Sequence, residues 1–350
     1  MRGMLRAPER RNARRHTILD DITRRRFLVG GGAALLLGAA GCGSGGGSGG
    51  GEESSQTRSI EHKYGTTEIP GAPERVVSVG YTDQDPLLAF GTRPTGIREW
   101  LGVQEYAVWP WAEEELGDAE PRMLSVDSIN YEQVAALEPD LIIGVSSGMT
   151  RDDYDSLSEF APTLPQSDEY VDFGVPWQDQ TRVIGRALGK NERAERLISD
   201  LEQKFENTRE EYPAFEGATV SVLGEGEGTF YFYTPLDRSV RFFQSLGFEI
   251  PEEARELSRS EQFSVEISEE QFSLVEADVV IWFSSTASHE EDMKNNEVYG
   301  QLRAAREGRD IYLDSNEDPI KAALSFNTVL SHPYLLDNFA GKLAEIIQRA

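Results

Sequence analysis

The feature that most restricts the fold is a long run without a breaker. Residues 191–211, NERAERLISDLEQKFENTREE, contain neither proline nor glycine. Ala194, Leu197, Ile198, Leu201 and Phe205 recur there at the spacing of one helical face. Asn191 at its start suits an N-cap. A helix of 21 residues spans about 30 Å. Such a rod suits a strut between two bodies better than an element inside one, and it limits their relative motion more than flexible crossover strands would.

On both sides of the rod, short buried-strand runs alternate with helical ones, so an α/β fold is expected. Before it, Arg75–Gly80, Pro94–Ile97 and Leu141–Val145 read as strands, with a helix over Asp83–Phe90 stopped by Gly91. After it, Ala218–Gly224 and Val279–Phe283 read as strands, and Arg238–Leu246 as a helix stopped by Gly247. One segment has an echo. Asn130-Tyr131-Glu132-Gln133, followed by Pro139-Asp140-Leu141-Ile142-Ile143, has the spacing of Ser268-Glu269-Glu270-Gln271, followed by Ala277-Asp278-Val279-Val280-Ile281. Each has a cap, a short helix and an aspartate before a strand, as two related lobes would. The expected organisation is an N-terminal lobe over 58–189, a connecting helix over 190–211 and a C-terminal lobe over 212–350.

The first 41 residues read as a targeting segment. Nine arginines face Glu9, Asp20 and Asp21, and Arg24-Arg25 sit in the Thr23–Leu28 pattern of a twin-arginine export signal. The apolar stretch that follows is shorter than the roughly 20 residues a membrane span needs. It ends in Ala39-Ala40-Gly41-Cys42, the arrangement of a bacterial lipobox, and Cys42 is the single cysteine in the chain. Cleavage there would leave a lipid-modified Cys42 and a Gly/Ser-rich linker over 42–57. The body is then expected at the outer face of a cytoplasmic membrane. Loss of residues 1–41, six charges positive on balance, takes the formal charge from −27 to about −33. That balance argues against nucleic acid as a partner, and it is better tolerated where salt screens it.

No catalytic constellation emerges. His16, His62, His289 and His332 are scattered, and there is no His-x-x-x-His or paired-cysteine pattern, so a zinc site is not expected. Gly-x-Ser-x-Gly occurs at Gly144–Gly148 and in the linker at Gly46–Gly50, but five residues of that spacing are no elbow without a histidine and an acid to complete them, and a hydrolase is not expected. Gly224–Gly228 alternates glycine with glutamate and reads as a mobile loop rather than a phosphate cradle. In open α/β sheets, ligands bind beyond the carboxyl ends of the strands. Tyr81, Trp100, Ser146 and Ser147 follow strands of the first lobe; Tyr231, Tyr233, Trp282, Phe283 and Ser284 lie near strand ends of the second. Arg98, Arg238 and Arg241 add positive charge. Aromatic faces with a few cations suit a bulky, partly anionic ligand.

Several stretches carry a resemblance: Glu68-Ile69-Pro70 with Pro73–Ser78, Asp83–Pro94, Asn130–Glu132 with Leu137–Ile143, and Ile184–Gly189. Together they resemble the lipid-anchored substrate-binding proteins of iron–siderophore ABC importers, the class that also binds cobalamin and haem. The resemblance covers residues 59–345. It implies two Rossmann-like lobes joined by one long α-helix, with the ligand in a cleft between them. The expected protein is a non-enzymatic monomer without a cofactor or metal ligands of its own. It would take a ferric siderophore to a permease dimer with its ATPase. One exposed glutamate per lobe docks into the permease in that family, and Glu132 and Glu270 match those positions. For ligand contact the strand ends nominate Tyr81, Trp100, Tyr231, Arg238 and Trp282. The rivals are the same architecture holding cobalamin, haem or a bare metal ion, a twin-arginine-exported enzyme, and a structural or adhesion lipoprotein.

Overall fold

The computed structural model describes residues 57–349 except 227, 260–261, 285–287 and 314. The leader, Arg24, Arg25, Cys42 and all of the linker but its last residue lie outside the described residues.

An antiparallel hairpin, β1 (Arg58–His62) with β2 (Gly65–Ile69), opens the body. The first lobe is a five-stranded parallel sheet of β3 (Val76–Ser78), β4 (Gly96–Arg98), β5 (Arg122–Leu124), β6 (Leu141–Gly144) and β7 (Thr163–Pro165), in the order β5-β4-β3-β6-β7. Its strands alternate between two apolar layers. Val76, Leu141 and Ile143 face one, and Val77 and Ile142 the other, the period-two pattern of a sheet covered on both sides.

The second lobe holds β8 (Val220–Gly226), β9 (Thr229–Tyr233), β10 (Ser264–Ile267), β11 (Val279–Ser284) and β12 (Asp310–Leu313) in the order β10-β9-β8-β11-β12. β8, β11 and β12 are parallel, whereas β9 and β10 are antiparallel additions. The Gly224–Gly228 stretch is therefore not a free loop. It carries β8 into a hairpin with β9, where the Glu225 carboxylate accepts from the Gly228 amide at 3.0 Å.

The echo is structural. β6 lies beside β3 as β11 lies beside β8. Asp140 accepts from the Glu74 and Arg75 amides at the entry to β3, and Asp278 from the Thr219 amide and hydroxyl at the entry to β8. Each short helix before them is capped, by Asn130 and by the Ser268–Gln271 capping box, although the second is 3-10 rather than α.

The connecting helix runs over Asn191–Glu211. Asn191 is its first helical residue and not the cap; Lys190 holds that place without a side-chain bond. Ala194 packs into the first lobe's core, whereas Ile198, Leu201 and Phe205 join a layer containing Trp109 and Trp111 of the first lobe and Val220, Phe242 and Phe326 of the second. Phe205 lies edge-on to Phe242 at 5.9 Å. Gly185, on the helix Trp177–Ala187, sets how closely the rod approaches, because a Cβ there would stand 2.7 Å from the Ala194 Cβ and 2.8 Å from the Phe90 ring.

Helix propensity favours Gly185→Ala by about 1 kcal/mol, but overpacking a rigid contact costs about 1–3 kcal/mol. The contact should win, so the variant's urea midpoint should fall. A midpoint that rises shows that the rod is not held at this point.

Candidate functional site

The carboxyl ends of both sheets meet across one cleft. Tyr81 follows β3, and its amide donates to the Ser146 carbonyl beyond β6 at 3.1 Å. Gly80 must be glycine here, since a Cβ would fall 1.9 Å from an Asp83 carboxylate oxygen. Trp100 follows β4. From the second lobe come Tyr233 at the end of β9, Phe283 on β11, and Asp237 with Arg238 at the start of the helix Arg238–Ser245. They enclose a cavity of ≈ 370 Å³, completed by Phe173, Phe263 and Ser325. That size falls within the range of small-molecule sites.

The walls are aromatic and ordered by stacking. Tyr81 stacks with Trp100 at 5.8 Å and with Phe173 at 6.0 Å; Trp100 meets Phe326 at 5.2 Å, and Tyr233 meets Phe283 at 5.8 Å. The Arg98 guanidinium lies 4.3 Å from the Tyr81 ring centroid, and its Nη2 donates to the Tyr81 hydroxyl and to the Val126 carbonyl at 2.9 and 3.0 Å. Arg98 is buried and orients Tyr81 without lining the cavity.

A polar clasp lies beneath the aromatic walls. Asp83 is fully buried and accepts from the Ser146 amide at 3.1 Å and from Gln180 Nε2 at 2.8 Å. Arg238 reaches over from the second lobe, donating to Thr82 Oγ1 at 3.1 Å, Ser146 Oγ at 3.0 Å and the Phe173 carbonyl at 3.1 Å. Arg241, one turn on, donates to the Gly174 carbonyl at 2.8 Å. Burial lowers the Arg238 pKa to about 10, opposed by Asp83 and Asp237, so it stays cationic at neutral pH. Burial raises both Asp83 and Asp237, opposed by their hydrogen bonds and by Arg238. Asp85 makes a second bridge: one of its oxygens accepts from Trp111 Nε1 at 2.8 Å and from Thr328 Oγ1, in the second lobe, at 2.5 Å. Burial pushes Asp85 up to about 7.

Of the five residues nominated for ligand contact, Tyr81, Trp100 and Arg238 line the cavity. Trp282 does not. It is wholly buried on the opposite face of β11, against Phe230, Phe272, Tyr299 and His289. Neighbours on a strand point to opposite faces, so Phe283 is the one that turns to the cleft. Tyr231 shares a face of β9 with Tyr233, yet stands outside the cavity lining. Phe173 carried no strand-end signal; it sits in a loop with φ of +65°. Glu132 and Glu270 are both exposed, each the second residue of its short helix and at equivalent places in the two lobes. His332 is a buried core histidine packed against Trp177, Phe205 and Phe242, and burial lowers it to about 3. Among the described residues no group of three or more His, Cys, Asp or Glu side chains is placed to hold a metal ion, and no helix is long and apolar enough to cross a membrane.

Residues 76–317 match the family described as "Periplasmic binding protein". This chain belongs to it. A periplasmic solute binding protein from Mycobacterium smegmatis is 32% identical, with a TM-score of 0.74 over 83% of this chain and 99% of that one. PiaA from Streptococcus pneumoniae, solved in complex with ferrichrome, is 25% identical at a TM-score of 0.71, again over 83% of this chain and 99% of that one. Among curated proteins, the Bacillus subtilis protein named "Probable siderophore-binding lipoprotein YfiY" is 28% identical over 254 residues, covering 70% of this chain and 74% of that one. Within the family the chain is thus similar to the substrate-binding lipoproteins of iron–siderophore ABC importers. The two-lobed fold with one long connecting helix is that of its structural neighbours.

Asp85 gives the site a pH signature. A carboxyl whose folded pKa lies above its unfolded value stabilises the fold when protonated, and that contribution is lost as pH rises from about 4 to about 7. In Asp85→Asn the Asn oxygen keeps both donors and nothing ionises. Thermal melts from pH 4 to 8 should therefore show wild type losing stability relative to Asp85→Asn as pH rises. Parallel curves would mean that Asp85 titrates as it does in water.

Proposed function

We propose that this chain is an extracytoplasmic binding protein, lipid-anchored through Cys42, that captures a ferric siderophore and delivers it to an ABC importer. The observation that carries this reading is the aromatic cleft between two lobes of a periplasmic binding protein. A siderophore arrives with its iron already wrapped, so capture calls for complementary surface rather than for metal ligands. Flat aromatic faces offer large contact area at low entropic cost. The structure of PiaA with ferrichrome supports the assignment at the level of ligand class. Tyr81, Trp100 and Arg238 are the proposed contacts from the original set, joined by Tyr233 and Phe283; Tyr231 is a peripheral contact at most. This role is binding and release, not catalysis.

Glu132 and Glu270 are the proposed permease contacts. Their equivalent placement lets two-fold-related pockets on a permease dimer receive one glutamate each. The twin-arginine signal at Arg24 and Arg25 and the lipid on Cys42 would place a monomeric body beside that permease.

Tryptophan fluorescence should quench on titration with a ferric siderophore, with binding below about 10 μM. Trp100→Ala should weaken it by about 2 kcal/mol, roughly 30-fold, as for a buried aromatic anchor. Saturation by haem or cobalamin with no response to any ferric siderophore would replace this reading. Separately, Glu132→Lys with Glu270→Lys should leave that titration unchanged and abolish iron uptake by cells; undiminished uptake removes the docking role.

A further inference from the structure

We infer that the cleft selects a ferric complex of net charge near zero, which is the chemistry of a tris-hydroxamate and not of a tris-catecholate or polycarboxylate. The inference rests on the capture reading above and concerns the charge of what is captured.

Iron(III) fixes the balance. Three hydroxamates, each singly ionised, give a neutral complex. Three catecholates, each doubly ionised, leave a trianion, and polycarboxylate complexes are also anionic. A cleft built for a trianion needs uncommitted cations along its wall. Among the described residues, the lining of this cavity offers one cation, Arg238, and one anion, its neighbour Asp237. Arg238 is already committed, with its donors on Thr82, Ser146 and Phe173 and with Asp83 and Asp237 opposing its charge. Arg98 lies nearby but is turned into Tyr81 and the Val126 carbonyl. Arg241 is spent on Gly174 and Pro235 carbonyls. Lys321, one turn before Ser325, donates to the Ser284 carbonyl at 2.5 Å and to Asn316. What remains facing the cavity is uncharged, Ser325 and six aromatic side chains: Tyr81, Trp100, Phe173, Tyr233, Phe263 and Phe283.

Two costs fall on an anionic complex. Charge brought into a low-dielectric cleft without a partner is expensive, and opening the Arg238 clasp to supply one would remove the cation that opposes the buried Asp83, leaving it only the Ser146 and Gln180 donors. The body as a whole, near −33 after processing, repels anions at long range until salt screens it. A neutral complex meets neither cost and gains the whole aromatic surface.

The test is tryptophan quenching in 0.15 M and 2 M NaCl with four probes: ferrichrome (neutral), ferrioxamine B (monocationic), a synthetic ferric tris-catecholate (trianionic) and ferric staphyloferrin B (polycarboxylate). Expected is binding of at least one hydroxamate roughly 100-fold tighter than either anionic complex, which converts to about 2.8 kcal/mol. The hydroxamate affinity should change little with salt. Ser325→Lys, which adds a cation to the wall, should narrow the gap by favouring the anionic probes. Preference for the catecholate or carboxylate complex, or equal affinity for all four, overturns the charge inference and leaves siderophore capture standing. Quenching by none of the four overturns capture itself.

Discussion

The structure depends on how one guanidinium is accommodated between two lobes. Arg238 starts a helix of the second lobe, yet its donors end on Thr82, Ser146 and Phe173 of the first. Beneath it, Asp83 is buried with amide donors from Ser146 and Gln180. Neither charge is tolerable alone in that position. Together with their hydrogen bonds they fix where the carboxyl ends of the two sheets meet, and so where the cleft lies. Gly80 belongs to the same constraint, because only a residue without a side chain leaves room for the Asp83 carboxylate.

Around this clasp the connecting helix acts as a spacer. It enters the first lobe's core through Ala194 and a layer shared by both lobes through Ile198, Leu201 and Phe205. A rod packed along both bodies permits small adjustments of the cleft more readily than a wide hinge rotation. Asp85, bonded to Trp111 on one side and Thr328 on the other, adds a protonation-sensitive contact to the same interface. The cleft walls are thus aromatic rings mounted on a polar floor, and that floor consumes most of the local charge.

Much of the fold was readable from the chain. The strands at 76–78, 141–144 and 279–284, and the helix over 191–211, follow from β-branched runs and from a breaker-free helical period. The repeat of Asn130–Ile143 in Ser268–Ile281 proved to be one structural unit used twice, down to aspartates that tie neighbouring strands. Legibility failed where a strand is buried on both faces. Val279–Phe283 is apolar at every position, so nothing in it distinguishes Trp282, sunk among Phe272 and Tyr299, from Phe283, which faces the cleft. Glycine and glutamate alternating over 224–228 also misled, since Gly224–Gly226 is the end of β8, paired with β9.

The sequence by itself determined the class of fold and the connecting helix, and it pointed to the strand ends that border the cleft. These are local properties: periodicity, caps, breakers and short motifs that act over a few neighbouring residues. Only the tertiary structure decided which aromatic rings share a cavity, that Arg238 and Arg241 are spent holding the lobes together, and that Asp83 and Asp85 lie buried beneath them. Those facts depend on contacts such as Asp85 to Thr328 and Arg238 to Thr82, between residues 243 and 156 positions apart. Burial and charge compensation arise from such distant pairs, and no local pattern records them.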